Sequence, residues 1–223
     1  MSDKINVMVM GGHTKGFHEF SKMGPIYGDF LEKAGFQVKL TEDRDDFLKE
    51  RIAPFEVILC YTTGEDLTDA QRDGFMGAIR GGKGYVAVHS AADSFVNTPG
   101  YLNMVGGRFL GHPHYWPKLT INIKNRHHPV VAGIEDFEIE EELYLMETYG
   151  HFEIIMSTYF IGFERPITWV KPYGHGRILY TALGHDEPQT RNPNFQRLII
   201  NGVRWAVCPE GMIQAPPSRS QAL

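Results

Sequence analysis

The chain lacks several features that would assign it quickly to a class of protein. It has 223 residues but only two cysteines, Cys60 and Cys208, each in or beside an apolar run. Buried free thiols of this kind are typical of a reducing compartment, so we expect no disulfide and a cytoplasmic location. No apolar stretch reaches the length of a membrane span, and the N-terminal residues run directly into a strand. Neither a membrane segment nor a signal peptide is therefore expected.

Positive charge is also scarce. The chain has 22 Lys and Arg against 27 Asp and Glu, a net charge of −5, and no basic run. This balance argues against a nucleic-acid partner. The glycine-rich segment GGHTKG at residues 11–16 has the spacing of neither the dinucleotide fingerprint nor the P-loop, so we expect no nucleotide cofactor. The hydrophobic fraction of 42% is ordinary for a globular protein with a core of normal size.

Short apolar runs alternate with helical patterns through the first half of the chain. We predict strands at residues 5–10, 36–40, 55–60 and 85–88. One helix starts near Phe20 and ends at Gly35, and a second is opened by Thr68 and Gln71, which have capping-box spacing. Strands that alternate with helices in this way predict a parallel sheet with right-handed crossovers.

The second half of the chain has a different pattern. We predict strands at residues 118–123, 153–157, 167–170 and 177–183, and the turn at 173–176 would join the last two as a hairpin. A final helix covers about 194–206. No linker or repeat interrupts this order, so we predict a single α/β domain at residues 1–208. Residues 209–223, rich in Pro, Ser and Gln, form a C-terminal tail.

Histidine is the one residue type that is abundant, with ten copies whose placement is informative. Ligands of open α/β sheets bind beyond the carboxyl ends of the strands. His13 and His18 follow the first strand. His89 and Ser90 come directly after the fourth strand, in GYVAVHSAADSF, and His185 follows the last strand, in GHDE. We therefore predict that these histidines, although distant in sequence, converge on one pocket.

Two further segments could supply side chains to the same pocket. GGRFLGHPHY carries His112 and His114, and His-x-His on an extended chain is a usable spacing for metal ligands, although we interpret His114 as a loop residue. EIEEELYLM has four glutamates, most of which are typical of a solvated face. Glu142, beside apolar neighbours, is the one that we expect to face the pocket. Trp116 is a candidate for stacking on a sugar.

Four segments in order carry a resemblance to a known family. GYVAVHSAADSF, GGRFLGHP, HHPVVAGIEDFEIEEELY and GRILYTALGHDE resemble the trehalose-utilisation (ThuA-like) family, over about residues 5–206. The resemblance implies a fold similar to the class I glutamine amidotransferases. That fold is a flavodoxin-like three-layer α/β sandwich with a mostly parallel central sheet, to which our strand pattern adds a late antiparallel hairpin.

The resemblance also limits the chemistry. Class I amidotransferases carry a nucleophilic cysteine after a central strand, where this chain has His89 and Ser90, so a thiolate mechanism and glutamine hydrolysis are excluded. Their late His-x-Glu remains as His185 and Glu187. The family name comes from operons for the catabolism of trehalose and related disaccharides, which implies a disaccharide or keto-sugar as the small-molecule partner. A homodimer is the default expectation.

Three interpretations of the pocket stay open. In the first, a carbohydrate-active enzyme uses either a divalent metal such as zinc or direct acid–base catalysis to enolise, epimerise or hydrolyse a keto-sugar. The second is a serine hydrolase with Ser90 as nucleophile, although the segment lacks the Gly-x-Ser-x-Gly frame. The third is a non-catalytic sugar-binding or regulatory module.

Each candidate residue has an expected role. The candidate catalytic residues are His18, His89, Ser90 and His185. The candidate metal ligands are His89, His112, Glu142 and His185. The candidate substrate contacts are His13, Trp116 and Glu187.

Overall fold

The computed structural model describes residues 4–12 and 18–207. His13, Cys208 and the predicted C-terminal tail lie outside the described residues. Within them the strands are β1 (Asn6–Met10), β2 (Gln37–Thr41), β3 (Val57–Cys60), β4 (Gly84–Val88), β5 (Gly107–Gly111), β6 (Lys118–Ile123), β7 (Phe137–Glu140), β8 (Leu145–Thr148), β9 (Glu153–Phe160), β10 (Phe163–Tyr173) and β11 (Gly176–Thr181). The α-helices are α1 (Phe20–Lys33), α2 (Lys49–Ile52), α3 (Asp69–Arg80), α4 (Tyr101–Val105), α5 (Glu187–Thr190) and α6 (Pro193–Val207).

Nine of these strands form one sheet, in the order β2-β1-β3-β4-β11-β10-β9-β6-β7, and β5 pairs with β8 in a small second sheet. The pairs from β2 to β11 are parallel, whereas β11–β10, β10–β9, β9–β6 and β6–β7 are antiparallel. The fold is therefore mixed α/β, with a parallel half that contains every strand of the first half of the chain except β5.

Alternation along the buried strands divides the core into two layers. On β1, Val7 and Val9 pack with α1 and α6 on one face of the sheet, while Met8 and Met10 pack with α3 on the other. Because both faces are covered, strands such as β4 are buried throughout, which explains their unbroken apolar sequences. The predicted capping box is present, since Thr68 Oγ1 accepts from Gln71 N and the Gln71 side chain accepts from Thr68 N.

The antiparallel half is larger than the sequence indicated. Strands β5, β7 and β8 and the short helices α2, α4 and α5 were not predicted. Strand β7 lies at the sheet edge with Ile139 inward and Glu138 outward. Because most of its residues belong to an acidic run, the alternation typical of a strand was not recognised in the sequence. Strand β10 is also longer than predicted, because it pairs with β9 through a tight turn at Ile161, whose φ is +50°.

The strand directions define two opposite edges of the sheet. The carboxyl ends of β1, β3, β4 and β11 lie at one edge, while β10 runs the other way and ends at the opposite edge.

Cys60 is buried and free, and burial raises the pKa of its thiol to about 12, which makes it unreactive. Among the described helices, none has both the length and the apolar character needed to cross a membrane.

Candidate functional site

His89 lies at the tip of the central strand β4 and is completely buried. Its φ of +47° is in the left-handed region, which costs a side chain with a Cβ about 1–2 kcal/mol. The ring is held on two sides, because Nδ1 lies 2.7 Å from the carbonyl oxygen of Ala182 and the ring packs on Tyr144 at 4.0 Å between centroids. Since a carbonyl only accepts, Nδ1 carries the hydrogen and Nε2 is left to face the pocket.

His185 reaches the same point from the loop after β11. The turn that places it requires Gly184, whose φ is +98° and where a Cβ would lie 2.6 Å from the Phe195 ring. The Tyr61 hydroxyl donates to the His185 carbonyl at 2.5 Å. The His185 Nδ1 lies 3.0 Å from Nε2 of His89, so the tips of two neighbouring strands meet through their imidazoles.

His18 comes from the segment between β1 and α1. It also has a left-handed backbone, with φ +58°, a conformation in which histidine is more frequent than most residues with a Cβ. Its Nδ1 lies 2.6 Å from Oγ1 of Thr63, which follows β3, and its Nε2 lies 3.3 Å from Nδ1 of His185. The ring nitrogens of His18, His89 and His185, three of the four histidines predicted to converge, therefore lie close together, and His13 lies outside the described residues.

Glu142 supplies a carboxylate from the loop between β7 and β8. Its Oε2 lies 2.8 Å from Nδ1 of His185 and 3.1 Å from Nε2 of His89, and its Oε1 lies 3.3 Å from Nε2 of His112. One ligand atom from each of His18, His89, Glu142 and His185 thus lies within 4.8 Å of the other three. Four segments that are distant in sequence meet at one point.

The pKa values of two cluster residues follow from burial and from these contacts. Burial lowers the pKa of His89, so its ring is neutral at neutral pH. Burial alone would raise the pKa of Glu142, but the hydrogen bond from His185 outweighs burial and leaves that pKa below its usual range. An ionised carboxylate therefore faces a neutral imidazole.

One ring nitrogen of His185 is shared among several close contacts. Nδ1 of His185 lies within 3.3 Å of Glu142 Oε2, His89 Nε2 and His18 Nε2, yet it can carry one hydrogen and donate to one of them. The neutral His89 leaves a lone pair on Nε2, 3.1 Å from Glu142 Oε2, with no hydrogen between the two atoms. Lone pairs crowded in this way fit a cation at their centre.

The donor set and its spacing fit a four-coordinate metal ion. Three imidazole nitrogens and one carboxylate oxygen are ligands that zinc accepts, at bond lengths of about 2.0–2.2 Å. A tetrahedron with such bonds has edges of about 3.3–3.6 Å. Four of the six separations among the ligand atoms are 2.8, 3.0, 3.1 and 3.3 Å, and all six are within 4.8 Å.

Glu141 supports this arrangement and was missed in the sequence. It is 1% exposed, and its carboxylate accepts from the backbone N–H groups of Gly184 at 2.7 Å, His185 at 3.2 Å and Glu142 at 3.1 Å. Burial raises the pKa of Glu141 to about 8, although these hydrogen bonds oppose the shift. The side chain ties the loop of Glu142 to the loop of His185. A glutamate within an acidic run gave no signal of this role.

His112 and Trp116 lie at the rim of the cluster. The His112 side chain is 41% exposed and touches the cluster only through Glu142, so His18 takes the place in the converging set that the sequence had given to His112. Nδ1 of His112 lies 2.7 Å from the Pro113 carbonyl, and Nε2 lies 3.3 Å from Oε1 of Glu142. The Trp116 ring is 44% exposed and stands edge-on to His185 at 4.8 Å between centroids.

Two other candidates do not join the cluster. Ser90 is buried, and its Oγ has no hydrogen-bond partner within the described residues, so no base is placed to activate it. Glu187 is exposed at the first position of α5, and its carboxylate pairs with Arg191 at 2.7 Å. The carboxylate partner of His185 is therefore Glu142, and the His-x-Glu pairing that the resemblance implied for Glu187 is absent from this structure. His13 lies outside the described residues.

Fold and site together define an α/β protein with an imidazole–carboxylate centre at the carboxyl edge of a mixed sheet. The family model for ThuA, described as trehalose utilisation, matches residues 6–206. The chain belongs to this family.

Solved structures agree on the fold. A ThuA-like protein from Parabacteroides merdae has a TM-score of 0.79 at 21% identity, with 92% of this chain and 90% of that chain covered. A ThuA-like protein from Bacteroides uniformis has a TM-score of 0.76 at 23% identity, covering 91% of each chain. PurLQS from Thermotoga maritima has a TM-score of 0.57 at 11% identity, covering 91% and 99%, in agreement with an amidotransferase-like scaffold. No significant match to a curated protein was found.

Proposed function

We propose that the protein is a metal-dependent enzyme of carbohydrate metabolism that acts on a disaccharide or keto-sugar. His18, His89, Glu142 and His185 hold a divalent cation, with zinc as the first expectation. The observation that carries the proposal is the meeting of their four ligand atoms within 4.8 Å. Three imidazoles and no thiolate favour zinc or a similar borderline ion over soft or purely oxygen-loving metals.

The hydrogen-bond partners of the ligating histidines favour the same interpretation. Ligating histidines in proteins commonly donate their second ring N–H to a fixed acceptor, which sets the tautomer and the ring orientation. His89 does so with the Ala182 carbonyl, and Nδ1 of His18 is in hydrogen-bond contact with Thr63. Such partners are what a preorganised metal centre requires, and they hold the imidazoles in place before the cation arrives.

The chemistry divides between the cation and the rim. A bound divalent cation supplies polarisation of a carbonyl oxygen or an acidified water. His112 Nε2 lies at the mouth of the site, beside Glu142, and can take and return a proton on a bound sugar. The exposed face of Trp116 lies next to His185, where it can pack on the apolar face of a sugar ring. Enolisation, epimerisation or hydrolysis of a keto-sugar would use this arrangement.

The scaffold, the substrate class, the cellular location and the assembly are proposed on related grounds. The parallel order β2-β1-β3-β4-β11 supports a flavodoxin-like scaffold of the class I amidotransferase type. The family description, trehalose utilisation, supports a sugar substrate. We place the protein in the cytoplasm, because its described cysteine is a buried free thiol. We also propose that residues 1–208 form one domain. A homodimer remains our expectation for its assembly.

The test combines metal content with turnover. Protein purified without a histidine tag should carry about one divalent ion per chain, and should convert a keto-disaccharide in a reaction that a chelator stops and added metal restores. His89→Ala and His185→Ala should lose the ion and the activity. His114→Ala removes an exposed histidine outside the cluster and is the matched control, which should keep both.

The other interpretations of the pocket are outcomes of the same experiment. Turnover by a metal-free protein would replace the metal by direct acid–base catalysis at His89 and His185. Binding of sugar without turnover or metal would favour a binding or regulatory module. Labelling of Ser90 by a seryl-reactive probe would favour a serine hydrolase. Each of these results would overturn the metal-dependent assignment.

A further inference from the structure

Exposed apolar side chains are concentrated in two short parts of the chain. Five of the large hydrophobic residues in the described ranges are between 61% and 76% exposed, and no other one there exceeds 44%. Three belong to the hairpin tip, residues 159–163, and two to the segment at residues 110–115: Tyr159, Ile161, Phe163, Leu110 and Tyr115. Single exposed hydrophobic residues are ordinary on a protein surface, whereas groups of them mark sites of contact.

Both groups lie at the carboxyl edge of the central sheet. Strand β10 is antiparallel to β11, so the turn from β9 to β10 lies at the edge where β11 ends. Strand β6 is antiparallel to β9, so it begins at that same edge, directly after the 110–115 segment and two further residues. Oγ1 of Thr158 donates to the Thr120 carbonyl at 2.8 Å, which ties the hairpin to the first half of β6. One side of the molecule therefore carries both groups.

The turn at the hairpin tip contains a residue that does not suit it. Phe160 pairs with Phe163, which leaves Ile161 and Gly162 as a two-residue turn, and their φ angles are +50° and +79°. Asn-Gly or Asp-Gly is usual in such turns, because a β-branched residue is an outlier in the left-handed region. Ile161 is also the most exposed large hydrophobic residue in the described ranges. Isoleucine here favours neither the turn nor solubility, so a contact outside the chain is the better explanation.

The hairpin tip is apolar on both of its faces. Tyr159 is paired with Glu164, and Phe163 is paired with Phe160. Because paired residues share a face and successive residues alternate, the Tyr159 and Phe163 side chains project from opposite faces, with Ile161 at the end. A tip of this shape is covered only when it packs into another surface.

A second copy of this chain fits both apolar groups at once. Since the groups lie at one edge, a two-fold axis beside that edge lets the tip of each copy contact the 110–115 segment of the other. With roughly 150–250 Å² for each aromatic side chain, the five residues expose on the order of 600 Å². A standard interface buries about 800 Å² on each partner, so these groups supply most of the area that a stable dimer needs.

We propose that the protein is a homodimer in which the hairpin tip of each copy packs on Leu110 and Tyr115 of the other. Trp116 follows Tyr115 and contacts His185, so the tip of one copy lies next to the mouth of the imidazole–carboxylate site of the other. This interface does not depend on the metal or on the sugar chemistry proposed for that site, and it stands or falls separately.

Sedimentation velocity of tag-free protein measures the assembly. We expect a dimer with a Kd of about 1 μM or below, as interfaces of this size have. Ile161→Asn should raise the Kd about 10- to 100-fold, which is the effect of uncovering one aliphatic side chain. Asparagine suits the left-handed turn, so urea unfolding of the dilute monomer should show no loss of stability in this variant. That second measurement separates the contact from folding.

A matched pair of leucine variants tests the other half of the interface. Leu110→Gln should raise the Kd by a similar factor. Leu40→Gln changes a half-exposed leucine on β2, at the far end of the sheet order, and should leave the Kd unchanged.

Three results would overturn the proposal. The first is wild-type protein that stays monomeric at about 100 μM, far above the Kd of a standard interface. The second is a dimer that Ile161→Asn leaves unchanged, which would place the interface elsewhere. The third is a dimer weakened by Ile161→Asn but not by Leu110→Gln, which would mean that the tips do not pack on the 110–115 segment.

Discussion

The two edges of the central sheet differ in charge and in rigidity. At the carboxyl edge, three imidazoles and a carboxylate crowd one point, and two of the histidines hold left-handed backbone conformations. At the amino edge, Lys171 and Arg177 border an open cavity from strands of ordinary conformation. The carboxyl edge therefore carries a group of residues that could hold a metal ion, whereas the amino edge carries an open cavity.

The contrast also shows where backbone strain is concentrated. Among the described residues, only five that are not glycine have a positive φ, and two of them are His18 and His89. Strain of this kind persists where the surrounding structure holds it, and it clusters at functional sites. None of these five residues lines the amino-edge cavity.

Replacing the carboxylate of the cluster should have the largest effect. Glu142→Gln removes the one negative ligand and should weaken binding of a divalent ion by about 100-fold or more, because an amide neither compensates the ion's charge nor replaces the carboxylate oxygen fully. The measurement is a zinc-binding titration against a competing chelator. Glu138→Gln, on the exposed face of β7, is the control. Unchanged affinity in Glu142→Gln would remove the carboxylate from the ligand set.

Glu141→Gln should have the next largest effect, through the position of its neighbours. Above about pH 8, where Glu141 is ionised, the amide keeps one acceptor and turns the other into a donor that faces backbone N–H groups, so the loops of Glu142 and His185 lose part of their anchor. We expect zinc affinity to fall about 10- to 100-fold, as for other residues that orient metal ligands. Glu140→Gln, exposed and one residue away, should change nothing. A fall in thermal stability without a fall in zinc affinity would make Glu141 purely structural.

The pH dependence of the metal-free protein should be intermediate in size. Burial raises the pKa of Glu141 from 4.5 to about 8, so between these values the folded protein keeps a proton that the unfolded chain releases. The contribution of Glu141 is therefore fully present below pH 4.5 and is lost as the pH rises through about 8. Its slope cannot exceed about 1.4 kcal/mol per pH unit. Urea unfolding with chelator present should show this loss in the wild type but not in Glu141→Gln, and equal slopes would contradict it.

Trp116→Ala should have the smallest effect. If the exposed indole packs on the sugar, its loss should raise the KM by about fivefold with little change in kcat, since an aromatic contact contributes about 1 kcal/mol. Steady-state kinetics on a keto-disaccharide provide the measurement, and Trp116→Phe should restore most of the KM. A fall in kcat with an unchanged KM would instead place Trp116 in the orientation of His185, which its ring contacts.

The sequence predicted the parallel half of the fold better than the antiparallel half. Strands such as β4, buried on both faces, show as unbroken apolar runs, and their carboxyl ends located His89 and His185. Strand β7 and the pair of β5 and β8 are short and half exposed, so their patterns were weak. Pairing order decides which loop meets which, and for this reason neither the role of Glu141 nor the cavity of Lys171 and Arg177 could be predicted.

The site was predicted to the extent that strand topology decides it. His18, His89 and His185 follow strands, so a parallel sheet brings them together. His112 and Glu142 lie on loops whose course depends on the small second sheet. The ligand set predicted from the sequence therefore contained His112, where the structure has His18. Glu187, predicted as a substrate contact, pairs with Arg191 in the structure, because a sequence motif does not show which way the first turn of α5 points.

The proposed function depends most on a single cation bound where four chain segments meet. Anomalous diffraction from crystals of tag-free protein grown with zinc tests this directly. We predict one peak within about 2.0–2.2 Å of Nε2 of His18, Nε2 of His89, Nδ1 of His185 and a carboxylate oxygen of Glu142. The proposed metal site would be contradicted if no peak appeared at this position in crystals saturated with zinc. A peak bound only by surface histidines such as His114 or His151 would contradict it as well.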